Sequence, residues 1–351
     1  MCMRKQERIC PLLPARGRMN RKKTEKVIEI RPAHWYNKRK ERKRGMYMIV
    51  NVIDIGSNTV KMSLFAVEEG RFVLAGKKST LCRLIAYCTS EGLSEEGIAV
   101  LLKTIKEYQT ESEKAGAEKT FVFATASLRR AANCESVIAR VKSETGLTVD
   151  LISEQREALL SCRAVLDGTV RDPSASGATL DMGGGSTEIV LFEQGRPHFH
   201  VSMPFGCLSL FQRFVKGELA TSEECEAIER AVEEHLLACG VPGQSAPMLY
   251  MAGGSARAAA LAYRHAKGIA CSDDNGFSFS PNALGEVLSF YQDKDPSVLK
   301  RLVEDRYNLL FPAAAAFRAI VRHLGSETVV VSAMGMREGY VYERIEKGEI
   351  R

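Results

Sequence analysis

The chain reads as an α/β protein of two similar lobes facing each other across a central cleft, and three observations predict it. The order strand, aspartate, glycine-bearing loop with hydroxyl side chains, strand, glycine turn, strand occurs twice. It runs through MIVNVIDIGSNTVKMSLFAVEEGRFVLAG from Met48 and again through ATLDMGGGSTEIVLFEQGRPHFHVSM from Ala178. Each copy is followed by alternating helical and β-branched segments, the pattern of strands crossed by helices. With 351 residues, 45% of them hydrophobic, the chain is large enough to bury two cores. A repeat of a whole lobe is the most informative of the three.

The elements follow in order. YMIVNVIDIG (47–56) is a short β-branched run ending in glycine, hence a buried strand. SNTVKMSLFAVEEG turns into a second strand closed by Glu69-Gly70, and RFVLAGKKSTLCRL (71–84) supplies a third. LSEEGIAVLLKTIKEYQTESEKAG is a helix, with Ser94 as N-cap, Glu95 and Glu96 in its first turn and Gly116 as its stop. KTFVFATASLRRAANCESVIARVKSETG gives a strand, a polar loop and a helix. LTVDLIS is a strand, and EQREALLSCRAVLDG a helix capped by Ser153. VRDPSASG is a loop before the second glycine-rich unit. TSEECEAIERAVEEHLLACG and FPAAAAFRAIVRHLG are helices, and APMLYMAGGSARAAALA is a strand running through Gly253-Gly254 into a helix. The expected limits are a basic extension over 1–45, lobe I over 46–168 and lobe II over 169–351. The C-terminal helix, about 337–351, is expected to return to lobe I.

The formal charge of +6 divides unevenly. Residues 1–45 carry 16 Lys/Arg against 4 Asp/Glu, a net of +12, and the remainder is −6. That extension has little amphipathic periodicity and no apolar signal core. Two readings stay open: a basic arm for nucleic acid or other polyanions, or a start codon placed upstream of a protein that opens at Met46 or Met48. No apolar run reaches membrane-spanning length. The ten cysteines are scattered without a CxxC pair, which suits neither a zinc site nor a disulfide framework, and they read as reduced packing residues of a cytoplasmic protein. His198 and His200 alternate on a strand with no Asp or Cys spaced to complete a metal site, and Met334, Met336 and Tyr340 read as core.

The two loops carry the chemistry. Asp54-Ile55-Gly56-Ser57-Asn58-Thr59 and Asp181-Met182-Gly183-Gly184-Gly185-Ser186-Thr187 each combine unobstructed backbone amides, hydroxyl donors and an aspartate at a strand end. Amides free of side chains cradle phosphate oxygens, and an aspartate beside them can hold a divalent cation such as Mg²⁺. Glycine turns in hairpins are common, but two matching loops plus Gly253-Gly254 at a strand-to-helix junction point to phosphate.

VIDIGSNTVKM, FATASLRRAAN, LISEQREALL, LDMGGGSTEIV, MPFGCLSLFQRF, AGGSARAAAL and SAMGMREGYVYERI stand in one order along the chain. Together they resemble the exopolyphosphatase / guanosine pentaphosphate phosphohydrolase family, in its short form without an added C-terminal helical module. The resemblance covers nearly everything from Met48. It implies two RNase H-like lobes of the actin, sugar kinase and Hsp70-like (ASKHA) superfamily. The implied activity is hydrolytic release of a terminal phosphate from inorganic polyphosphate or guanosine pentaphosphate, with Mg²⁺ or another divalent cation as cofactor.

By the same resemblance Glu157 is the base that positions water and Arg129 the arginine that reaches phosphate. Ser57, Asn58, Thr59, Arg83, Gly183, Gly184, Gly185, Ser186, Gly253 and Gly254 line the phosphates, and Asp54, Asp181 and Glu188 attend the metal. Two departures from the family pattern stand out. The stretch Cys82-Arg83-Leu84-Ile85-Ala86-Tyr87 keeps the arginine and loses two glycines, and Arg156-Glu157 replaces a glutamate pair, so that Arg156 could alter water activation or add a phosphate contact. The alternative is a non-catalytic sensor of guanosine tetra- or pentaphosphate; an ATP-dependent sugar kinase of the same fold is disfavoured by length and motifs. The expected partner is the phosphate-chain substrate, with a homodimer possible, no membrane, and nucleic acid only through the extension.

Overall fold

The computed structural model describes residues 47–271 and 274–350. The basic extension, with both readings made of it, lies outside the described residues. The first repeat builds β1 (Met48–Ile55), β2 (Thr59–Glu68) and β3 (Arg71–Leu81) as an antiparallel meander. The third strand stops three residues before the expected end, because Arg83 takes a left-handed conformation (φ 51°) and opens a short 3₁₀ turn. Two short strands, β4 (Cys88–Thr89) and β5 (Gly92–Leu93), lead into α1 (Glu95–Lys114), whose N-cap Ser94 accepts from the Gly97 amide at 3.3 Å. Next come β6 (Lys119–Ala124), the short helix α2 (Ala126–Arg129), α3 (Cys134–Thr145) and β7 (Val149–Leu151). The polar loop expected after β6 therefore contains one helical turn.

Lobe II repeats the plan. After α4 (Glu154–Val165), β8 (Gly177–Met182), β9 (Thr187–Glu193) and β10 (Arg196–Met203) form the second meander. The helices α5 (Cys207–Phe214) and α6 (Ser222–Ala238) precede β11 (Met248–Ala252) and α7 (Gly253–Lys267). Then follow β12 (Ser278–Phe279), α8 (Asn282–Tyr291), α9 (Pro296–Val303), α10 (Leu310–Leu324), β13 (Thr328–Val331) and α11 (Met336–Glu346).

The sheet orders make the repeat explicit. Lobe I is β3-β2-β1-β6-β7, and lobe II is β10-β9-β8-β11-β13 with β12 added at the edge. In both, an antiparallel meander is extended by two parallel strands. The lobe II core is the larger, centred on the fully buried Ala313–Ala316 run of α10 against α6, α7 and α8. Small side chains let those helices approach closely without voids.

Two helices exchange lobes. Ala158 and Cys162 of α4 pack with Val190 of the lobe II sheet, while Tyr340 and Val341 of α11 are buried with Val50, Val52 and Phe65 of lobe I. The boundary expected near residue 168 thus falls after a helix that already lies on lobe II. Hydrophobic periodicity says that a helix has an apolar face, not which sheet covers it. Where the two helices meet, a Cβ on Gly339 would fall inside the Leu160 carbonyl, so only glycine permits this approach.

Behind them Arg156 makes paired bonds to Asp150 at 2.8 and 2.9 Å and reaches Glu343 at 2.9 Å, while Tyr340 and Arg344 also donate to Asp150. Burial of the Asp150 carboxylate opposes its charge, but these donors hold its pKa below the ordinary value. Arg156 is therefore a clamp between helices and faces away from the phosphate loops, contrary to the sequence expectation of a phosphate contact.

Candidate active site

Strand register places the two loops in equivalent positions. Ile55 pairs with Val60 and Met182 with Thr187, leaving four-residue connections in each hairpin. Each is closed by the same bond, Gly56 N–H to the Thr59 carbonyl at 3.1 Å and Gly183 N–H to the Ser186 carbonyl at 3.0 Å. The loops face one another: a Cβ on Gly184 would lie 3.6 Å from Asn58 Cβ, and one on Gly185 3.3 Å from Ser57 Oγ.

Two further segments hold them. The amides of Arg83 and Ile85 donate to the carbonyls of Asn58 and Ser57 at 2.7 and 3.0 Å. The first turn of α5 donates from Cys207, Leu208 and Ser209 to the carbonyls of Gly183 and Gly184 at 3.0 to 3.1 Å. The helix N-terminus is thus spent on loop carbonyls, which leaves the loop amides for a ligand. Gly206 makes this possible, since a Cβ there would sit 2.6 Å from the Gly184 carbonyl carbon.

A cleft of about 780 Å³ lies between the lobes. Ser57, Asn58, Thr59, Gly183, Gly184, Gly185, Ser186, Gly253 and Gly254 all line it, as do Asp54, Asp181, Glu157 and Glu188. Of the residues expected from sequence, Arg83 and Arg129 are not on its wall. Arg83 acts through its backbone. Arg129 lies behind Glu157, donating to its Oε2 at 3.0 Å, to the Ile152 carbonyl at 2.7 Å and to Glu154 at 3.4 Å. Met334 and Met336, read as core, stand on the cleft wall; Tyr340 is buried. His198 and His200 are exposed on β10. A larger groove of about 1440 Å³ runs along α4 and α11, but neither aspartate nor any phosphate-loop residue lines it.

Six cations on the wall were missed: Lys77 and Lys78 of β3, and Lys61, Arg257, Arg306 and Arg337. They come from several elements and converge only in the fold. Arg337 donates to Ser63 at 2.6 Å, Arg306 to Ser255 at 3.4 Å, and the Arg306 guanidinium lies over Gly254. Burial, with Arg337 close by, lowers the pKa of Arg257. Lys61 approaches Asp54 at 3.5 Å. That carboxylate favours its charge, but burial together with Arg337 and Arg306 outweighs it and lowers the lysine pKa. Lys61 had a sequence signal, because it occupies in the first hairpin the position of Glu188 in the second.

The carboxylates are set apart by environment. Burial raises the pKa of Glu157 to about 7 against the opposing Arg129 guanidinium, with Asp181 and Asp54 pushing the same way as burial. Burial, Glu157 and Asp181 raise that of Glu188, which accepts from Ser202 Oγ at 2.8 Å. Asp181 accepts from Ser161 Oγ at 2.7 Å.

Among the described residues no three His, Cys, Asp or Glu side chains converge to hold a metal on their own. Asp54, Asp181 and Glu188 are accordingly not a ready-made three-ligand cage. The donor set does fit Mg²⁺, which commonly takes one or two carboxylates and completes its shell with water and substrate phosphate; Asp54 and Asp181 are two carboxylates on the cleft wall of the kind it takes.

Residues 64–348 match the model of the Ppx/GppA phosphatase family. The chain is 24% identical over 306 residues to exopolyphosphatase 1 of Mycobacterium tuberculosis, covering 85% of this chain and 89% of the relative. It is 28% identical over 178 residues to a guanosine-5'-triphosphate,3'-diphosphate pyrophosphatase of Photobacterium profundum, covering 50% and 35%. In fold it is similar to the Ppx/GppA family member of Aquifex aeolicus, with a TM-score of 0.72 at 22% identity over 87% of this chain and all of the other. An exopolyphosphatase of Cytophaga hutchinsonii gives 0.75 at 18% over 86% and 98%.

Proposed function

The chain belongs to the Ppx/GppA phosphatase family, and from that premise we propose that this phosphoanhydride hydrolase acts on inorganic polyphosphate. The observation that carries the substrate choice is the composition of the cleft. Lys61, Arg257, Arg306 and Arg337 line it with the amide loops, and no aromatic side chain stands among its described wall residues. Cations beside open amides suit a phosphate chain. Recognition of a flat base ordinarily adds a stacking surface, which this wall lacks.

The terminal phosphate rests in the facing amides of the Ser57 and Gly184 loops, and its charge is met by Lys61 and the arginines. Water attacks the terminal phosphorus in line, the bridging P–O bond breaks, and the shortened chain leaves with the bridging oxygen. Glu157 takes the water proton, and its pKa near 7 matches a base working near neutrality. A divalent cation at Asp54 and Asp181 would add charge neutralisation at the phosphate oxygens. Arg129 orients the Glu157 carboxylate.

Phosphate release from long-chain polyphosphate and from guanosine pentaphosphate, with and without Mg²⁺, tests this in wild type and Glu157→Gln. Faster release from polyphosphate that the substitution abolishes supports the reading. Faster release from guanosine pentaphosphate overturns the substrate choice. No release from either, with tight guanosine tetraphosphate binding, overturns the enzyme.

A further inference from the structure

Ser161 lies one helical turn beyond Glu157 on α4, so both side chains leave the same face of the helix. It is only 4% exposed, and a buried hydroxyl must find a partner. Serine inside a helix often turns back to the carbonyl four residues earlier. Here it donates instead to Asp181 Oδ2 on the first strand of lobe II, at 2.7 Å. The other carboxylate oxygen is pressed against Gly253, where a Cβ would fall 2.7 Å from Oδ1. Asp181 is therefore held by one hydrogen bond, with no room for a side chain beside its other oxygen.

Comparison of the lobes shows why a grip is needed. Across the strand pair from Asp54 stands Lys61, an opposite charge at 3.5 Å. Across from Asp181 stands Glu188, a like group. The pair offers no opposite charge to fix either side chain. Lobe II has no lysine to fix its aspartate, and the donor comes from α4.

We propose that Ser161 is a positioning residue that aims the Asp181 carboxylate into the cleft and ties it to the helix carrying Glu157. Only the kinetic arm of its test rests on the hydrolase reading above. Ser161→Ala keeps size and favours helix, and Ser161→Thr keeps the hydroxyl. Mn²⁺ affinity by electron paramagnetic resonance, kcat and KM on polyphosphate, and thermal midpoints are measured for both; thermal midpoints are also measured for Asp181→Ala with and without Ser161→Ala.

Partners that orient a ligating carboxylate are worth roughly 10- to 100-fold in affinity or activity. Ser161→Ala should weaken Mn²⁺ binding and lower kcat by about that factor while KM stays close to wild type, and Ser161→Thr should retain most of both. The thermal cost of Ser161→Ala should vanish in Asp181→Ala, since the acceptor is already lost. Wild-type Mn²⁺ affinity and kcat in Ser161→Ala, or an equal cost in both backgrounds, overturns the proposal. If wild type releases no phosphate, the hydrolase reading falls and the Mn²⁺ titration alone decides for Ser161.

Discussion

Glu157→Gln is expected to abolish phosphate release and, above neutrality, to stabilise the fold. Burial holds the Glu157 pKa at about 7, against 4.5 for an ordinary glutamate, even with Arg129 opposing the rise. Between those two pH values the folded chain keeps a proton that the unfolded chain has released. Stability therefore falls as pH rises through that window, and the whole deficit is present above it. The gap corresponds to roughly 3 kcal/mol. Glutamine carries no charge at any pH and escapes the deficit. Urea midpoints at pH 8 should favour Glu157→Gln by about 1–3 kcal/mol, and the difference should shrink sharply at pH 5. A variant less stable than wild type at pH 8, or a gap independent of pH, would refute the claim that burial of a charge is what tunes this base.

Arg129→Ala removes the group that holds the Glu157 pKa down, so the acid limb of the kcat/KM profile should move to higher pH; an unmoved limb would detach Arg129 from the base. Gly206→Ala forces a methyl against the Gly183-Gly184 peptide and should cost about 1–3 kcal/mol with a loss of activity. A wild-type thermal midpoint and rate would contradict that. Arg156→Glu puts a third carboxylate beside Asp150 and Glu343, and its side chain is 27% exposed. It should lower stability by about 1–3 kcal/mol and leave kcat of the folded protein near wild type. A catalytic loss without a stability loss would place Arg156 in the chemistry instead of the clamp.

The two-lobed α/β architecture was legible because its signal is local and stated twice. Asp54 and Asp181 end buried strands, and the residues after each must turn. The Gly253-Gly254 junction was visible for the same reason. The cleft cations were not legible in this way. Lys61 lies on a strand, Arg257 in a helix, Arg306 in a 3₁₀ turn and Arg337 at a helix start, and nothing local marks them as neighbours. Arg129 shows a second limit. A motif carries its place in the chain, but whether its guanidinium faces ligand or carboxylate depends on what stands opposite, and here that is Glu157. Arg156 shows a third, since its partners Asp150 and Glu343 stand far apart in the sequence and meet only where α11 returns to lobe I.

The repeat itself explains how one plan yields a single site. The hairpins share their register, their closing bond and their terminal aspartate, yet position for position Lys61 faces Asp54 where Glu188 faces Asp181. Lobe I thus brings an aspartate already met by a cation. Lobe II brings two acidic groups, with Glu157 close enough to raise the Glu188 pKa further. Two identical lobes would have placed a lysine, or a glutamate, in both hairpins, while Glu157 comes from α4 and belongs to neither. The divergence at this one pair gives the cleft a cation on the lobe I hairpin and a second acidic group on the lobe II hairpin, beside Glu157 of α4. That division of labour is what hydrolysis of a phosphoanhydride by water demands.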